Sequence, residues 1–131
     1  MRDAIAREII ALEEGALARW IQGDPAGYLG LYAPDVSYLA EGLPGRVDGV
    51  EALRSLFSGM DGTPLVPSAT LVDPEVRVLG GIAWLACNVD NFSETGERIR
   101  RWNCTEIYRR KEGEWRIVHS HWSIVQQGAS A

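Results

Sequence analysis

Glu106, His119 and His121 are the side chains in this sequence whose types and spacing best suit moving a proton near neutral pH. A carboxylate that holds one imidazole nitrogen orients the ring and raises its basicity. The turn at Glu112-Gly113 sets the pairing that would join them. With those two residues as a hairpin loop, Arg110 faces Trp115, Tyr108 faces Ile117, Glu106 faces His119, Cys104 faces His121 and Trp102 faces Ser123, all on one face. The same reasoning across the turn at 93–97 puts Trp84, Ala86, Asn88 and Asp90 beside Glu106, Cys104, Trp102 and Arg100. On this register Glu106 and His119 form an acid/base pair, His121 follows on the same face, and Asn88 or Tyr38 donates to a developing enolate oxygen. The chemistry is proton abstraction beside a carbonyl: isomerisation, dehydration or aldol-type cyclisation. The same Glu106–His119 pair also reads as a structural one, because buried charges are paired for solvation alone.

Around these acids and bases lie the residues that would bind a ligand. Trp20, Tyr38, Trp84 and Trp102 supply apolar area, and Asn88 and Asp90 supply polar handles. Tyr28 belongs with the aromatic group, and such rings at these spacings also make plain core. Asp24 and Asp35 read as helix-cap and turn residues. His119, His121 and Glu106 share a face as metal ligands would, but no further histidine exists to complete a set, so no metal is expected. Cys87 and Cys104 show neither metal-ligand spacing nor a C-x-x-C pattern, and no cofactor is expected.

The elements that must position these groups divide into helices first and strands after. Ile5, Ile9, Leu12, Ala16, Leu17 and Trp20 recur at helical spacing and predict a helix over 3–22, with Arg7, Glu13, Glu14 and Arg19 mostly off the apolar stripe. Gly23 ends it, Asp24-Pro25 starts a second short helix through Tyr28, Leu29, Leu31 and Tyr32, and Pro34 closes that one. A short strand over 36–39 and a glycine-rich loop precede a third helix over 50–60. The pattern then changes to period two, predicting strands over 69–78, 82–92, 97–110 and 114–125 with turns at Gly80-Gly81, Glu94-Thr95-Gly96 and Glu112-Gly113. Helices followed by an antiparallel meander make an α+β domain, and the 131 residues are expected to form a single domain over 1–131.

Hydrophobic residues at 46% and charged residues at 24% suit a chain with a packed core. The net charge of −5 argues against a nucleic-acid partner, which needs a basic face, and Arg98, Arg100, Arg101, Arg109, Arg110 and Lys111 read as strand edges and a hairpin tip. The sequence has neither a signal-like leader nor an apolar run long enough for a membrane span, so a cytoplasmic location with reduced thiols is expected. On the predicted register the second sheet face carries Leu85, Cys87, Val89, Ile107, Val118, Trp122 and Ile124. That much aliphatic surface needs covering, so both faces are expected to be packed, one by the helices and one by a second copy in a homodimer.

The stretch from Arg101 through Arg110, RWNCTEIYRR, and that from Gly113 through Ser123, GEWRIVHSHWS, resemble the nuclear transport factor 2-like superfamily, in its SnoaL-like and kinase-association-domain branches. Trp20-Ile21-Gln22-Gly23-Asp24, Asp35-Val36 and Gly49-Val50-Glu51-Ala52-Leu53 match as well. The resemblance implies a cone-shaped fold, with about three N-terminal helices on a strongly curved antiparallel or mixed sheet that encloses a pocket. Its members include ketosteroid isomerases, polyketide cyclases, dehydratases, epoxide hydrolases and non-catalytic association modules, and fold alone does not choose among them. The pocket arginines of the kinase association domains align with Ala86 and Glu106, so their carboxylate preference does not carry over. Two expectations result. One is a cofactor-free isomerase, dehydratase or cyclase acting on a small apolar, aromatic or carbonyl compound; the other is a ligand-binding or association module.

Overall fold

The structure, a computed structural model, describes residues 2–126. Helix α1 (Arg2–Trp20) buries Ile9, Glu13, Ala16 and Leu17 as one stripe, with the half-buried Leu12 and Trp20 beside it. An acid therefore occupies a core position of the first helix, against the expectation that grouped it with the polar residues. Helix α2 (Ala26–Leu31) is a short return across α1. Gly23 turns the corner between them at φ 83°, a left-handed conformation that favours glycine. A Cβ there would collide with the backbone of Thr63, because Gly62 N donates to the Gly23 carbonyl and Leu65 N to the Ile21 carbonyl. These bonds hold Leu65 and Val66 over the end of α1.

Strand β1 (Tyr32–Ala40) starts directly after α2, so Tyr32 is already extended and Pro34 lies within the strand instead of closing a helix. The two-residue β2 (Val47–Asp48), which the loop composition hid, pairs with it, and α3 (Val50–Leu56) follows. The meander then runs β3 (Ser68–Leu79), β4 (Ile82–Phe92), β5 (Arg98–Lys111) and β6 (Glu114–Ile124). The six strands make one open mixed sheet in the order β2-β1-β6-β5-β4-β3, parallel only between β1 and β6. The three helices, one long and two short, pack with this sheet as an α+β cone.

Local bulges decide which side chains enter the cone. Near its turn the β5–β6 hairpin pairs Arg110 with Trp115 and Tyr108 with Ile117, as the Glu112-Gly113 turn dictates. One extra residue at Val118 then shifts the ladder, so that Ile107 faces His119, Glu106 faces Ser120, Thr105 faces His121 and Cys104 faces Trp122. An extra residue in a strand sends every later side chain to the opposite face. The β4–β5 hairpin does the same. Phe92 pairs with Arg98, Ile99 is the extra residue, and beyond it Asp90 faces Arg101, Asn88 faces Asn103 and Trp84 faces Ile107. A third bulge sits at Asp73-Pro74 in β3, where Asp73 has φ 49°.

The concave face consequently presents Leu85, Cys87 and Val89 from β4, Trp102, Cys104, Glu106 and Tyr108 from β5, Ile117, Ser120 and Trp122 from β6, and Tyr32, Tyr38 and Ala40 from β1. The helices cover it. Ile9, Tyr28, Tyr32, Leu53, Phe57, Leu85, Tyr108 and Ile117 are all buried in the main core beneath them.

Candidate functional site

Between the helices and the concave face lies an open-mouthed cavity of about 350 Å³, at the small end of the range for ligand sites. Trp20 from α1, Tyr28 from α2, Tyr32 and Tyr38 from β1, Trp102 from β5 and Trp122 from β6 form most of its wall. The rings lock one another edge to face: Trp20 meets Tyr28 at 5.9 Å and Phe57 at 4.9 Å, and Trp102 meets Trp122 at 6.3 Å. Leu65 and Val66 also line the cavity, together with the polar side chains of Asn91, Arg100 and Glu41.

Tyr28 lines this cavity and reaches through its wall. Its hydroxyl donates to Glu13 Oε2 at 2.6 Å, and the Tyr108 hydroxyl donates to Glu13 Oε1 at 2.7 Å. Glu13 stands beside Glu106, with one carboxyl oxygen of each and the Cys104 sulfur all within 4.8 Å of one another. The Ser120 hydroxyl donates to Glu106 Oε1, and Trp122 Nε1 donates to Ser120 Oγ at 3.0 Å. A connected polar chain thus runs Tyr28–Glu13–Glu106–Ser120–Trp122, and both of its ends line the cavity.

Both acids are 0% exposed, and neither has a cationic partner among the described residues. Two bare carboxylates cannot share so dry a site. Burial and the adjacent Glu13 charge hold the Glu106 carboxyl well above its ordinary value, leaving it a neutral acid. Burial raises Glu13 too, opposed by the hydrogen bonds from Tyr108, Tyr28 and Glu106. Glu13 is therefore the better-solvated anion of the pair, and the Glu106 proton points to it. Glu106 Oε2 is buried without a hydrogen-bond partner among the described residues, a site that favours the neutral acid over the anion. Burial also keeps Tyr28, Tyr32, Tyr38 and Tyr108 protonated. The Tyr32 and Tyr38 hydroxyls make no hydrogen bond to the described residues and remain available to a ligand.

Glu13, Cys104 and Glu106 each offer an atom that a cation could take. Yet both oxygens of Glu13 already accept phenol protons and Glu106 Oε1 accepts from Ser120, so the cluster is furnished for sharing a proton.

The residues singled out by sequence spacing separate in the structure. Trp20, Tyr38 and Trp102 line the cavity, and Glu106 lies behind it. The Glu106–His119 pair is corrected: the Val118 bulge turns His119 and His121 onto the outer face, opposite in sense to Glu106. His119 Nδ1 instead meets Ser37 Oγ at 2.6 Å, and burial followed by the His121 charge holds its imidazole below the ordinary value. His121 is exposed. Trp84, Asn88 and Asp90 are likewise turned outward by the Ile99 bulge. Asp90 is held by Arg101 at 2.6 and 2.8 Å, which lowers its carboxyl, and Asn88 donates to the Trp102 carbonyl and to Asn103. Asn88, Asp90 and His119 are thus used by the sheet itself.

Three members of the chain were not foreseen here: Glu13, Ser120 and Trp122, the last of which the turn-set register puts on the opposite face. Glu13 had a legible signal: it stands four residues after Ile9 and three and four before Ala16 and Leu17, inside the apolar stripe. Ser120 had none, since only the bulge brings it to the concave face.

An α+β cone with an aromatic cavity over a buried acid pair is a pocket protein of the nuclear transport factor 2-like type. The chain belongs to the SnoaL-like domain family, whose model matches residues 9–127. Among solved structures it is similar to a candidate ketosteroid isomerase from Parabacteroides distasonis, with 35% identity over 91% of this chain and 86% of that one, at TM-score 0.78. An NTF2-like protein of unknown function from Pseudomonas putida shares 23% identity over 98% and 92% of the two chains, at TM-score 0.81. The association domain of C. elegans CaMKII shares 24% identity over 92% and 96%, at TM-score 0.73. Comparison with curated proteins gives no match. No described helix is long and apolar enough to cross a membrane.

Proposed function

We propose that the cavity binds a small apolar, aromatic or carbonyl-bearing molecule and that the protein acts on it as a cofactor-independent isomerase, dehydratase or cyclase. One observation carries this reading: the phenol of Tyr28 belongs both to the cavity wall and to the buried acid pair. A carbon acid held against the Tyr28 oxygen gives its proton to that oxygen while the phenol proton passes to Glu13. The C–H bond breaks, an O–H bond forms at Tyr28, and the electron pair moves into the adjacent carbonyl. Tyr32 and Tyr38 donate to the enolate oxygen that results. Reversal of the two transfers at a different carbon completes an isomerisation. Glu106 keeps its own proton and steadies the Glu13 carboxylate until the reaction begins. Similarity to a candidate ketosteroid isomerase supports this class of reaction.

The test begins with native mass spectrometry of the purified protein to identify any retained small molecule. Tyr28→Phe should then keep the molecule bound and lose its turnover. Turnover unaffected by Tyr28→Phe would sink the catalytic reading, and a cavity that takes up no small aromatic ketone would sink the pocket reading as well.

The outer sheet face favours self-association alongside this role. Trp84 and Ile107 face each other there only half-buried, and Ile99 is 49% exposed. A homodimer through that face would cover them, and light scattering on Trp84→Glu against the unaltered protein tests it. Similarity to kinase association domains fits this second role.

A further inference from the structure

Cys87 and Cys104, far apart in sequence, are direct Cα partners across β4 and β5, and both side chains belong to the concave face. Both are free thiols. We propose that this pair is a reversible oxidation site, closed by peroxide to an intramolecular disulfide between the two strands.

The geometry of an antiparallel ladder places opposed Cα atoms about 4.5–5.5 Å apart, inside the ~4.4–6.8 Å range of disulfides. Opposed Cβ atoms stand about 4.5–5.5 Å apart, so closure draws them together by roughly 1 Å.

Access and chemistry divide between the two sulfurs. The Asp73-Pro74 bulge in β3 falls beside Cys87, breaking the ladder at that point, and Cys87 is only half-buried. Cys104 is buried, and burial together with the neighbouring Cys87 thiol keeps its own thiol protonated. Oxidation therefore starts at Cys87. The Cys87 sulfur attacks peroxide; an S–O bond forms, the O–O bond breaks, and the departing hydroxide takes the Cys87 proton as water, leaving a sulfenic acid. The Cys104 sulfur then attacks the sulfenic sulfur; an S–S bond forms, the S–O bond breaks, and the departing hydroxide takes the Cys104 proton as a second water. One peroxide is reduced and two thiols are oxidised. Glu13 and Glu106 each place an oxygen within 4.8 Å of Cys104 Sγ, so the bridge would form beside the acid pair. Cys104 separates Trp102 in the cavity wall from Glu106 in the acid pair, so the bridge is sited to alter both.

The experiment treats the folded protein with hydrogen peroxide, then denatures it in the presence of an alkylating agent and measures intact mass. The expected result is loss of two hydrogens, no alkylation, and a cross-linked Cys87–Cys104 peptide that dithiothreitol restores. Cys104→Ser, or Cys104→Ala should the serine fail to fold, should stop at a Cys87 sulfenic acid trapped by dimedone. Cys87→Ser should leave a Cys104 that resists both reagents while folded. Two alkylatable thiols surviving peroxide in the folded protein, under conditions that oxidise the unfolded chain, would overturn the proposal. So would bridges formed only between molecules.

Discussion

Glu13 of α1 and Glu106 of β5 meet as two fully buried carboxyl groups, each raised above its ordinary value by burial, with no cation between them among the described residues. The arrangement adds a polar tie between the first helix and the middle of the sheet to the apolar packing of Ile9, Ala16 and Leu17. It gives a cavity lined by aromatic rings a link, through Tyr28, to a carboxylate.

Stability should fall as pH rises, by an amount traceable to Glu106. A group whose folded pKa is raised contributes fully below its unfolded value and loses that contribution as pH climbs through the folded one. Burial, followed by the adjacent Glu13 charge, holds the Glu106 carboxyl well above its ordinary value. Glu106→Gln mimics the protonated acid and does not ionise. Urea unfolding at a series of pH values should show the variant gaining on the unaltered protein from about pH 5 upward. A constant difference across that range would contradict a shared proton.

Removing either phenol that serves Glu13 should destabilise the fold. Tyr108→Phe and Tyr28→Phe each delete a hydrogen bond to a buried charged group, at a cost of about 1.5–3 kcal/mol. With both gone, Glu13 takes up a proton instead, so the double variant should cost less than the sum of the singles. A double-mutant cycle by chemical denaturation measures the shortfall.

Filling the cavity should separate binding from folding. Ala40 lines it and is only half-buried, so Ala40→Phe puts a ring into empty space. Ligand affinity should drop by at least ~10-fold while stability changes by less than about 1.5 kcal/mol, since the cavity beside Ala40 can take up the added volume. Fluorescence titration of the cavity tryptophans together with a thermal melt gives both numbers.

Deleting Val118 should be tolerated, because it takes out the one extra residue and leaves the pairing beyond it unchanged: Ile107 stays opposite His119 and Glu106 opposite Ser120. Circular dichroism should show cooperative unfolding retained, with the Glu106–Ser120 bond still inside the core.

Most of the elements were legible from periodicity and turn residues. The limits of β4 coincide with those expected, and β3, β5 and β6 differ by one residue at one or both ends, because glycine turns and period-two alternation are local signals. The helix over 50–60 proved shorter and Tyr32 changed element, both at ends where tertiary contacts decide. The candidate site was legible in half. Trp20, Tyr38 and Trp102 line the cavity, and Glu106 is buried behind it, whereas His119, His121, Trp84, Asn88 and Asp90 lie past a bulge and face the other way.

The amino-acid order by itself determined an α+β chain of three helices and a long-stranded meander, since helical and alternating spacings and turn residues act over only a few neighbours. The tertiary structure alone decided which face each strand turns inward. A single extra residue at Ile99 or Val118 is stabilised by the curvature of the whole sheet against the helices, an effect no local spacing encodes. The proton-sharing partner of Glu106 likewise came from a helix at the far end of the chain, because desolvation joins groups by where the core closes and not by their separation in sequence.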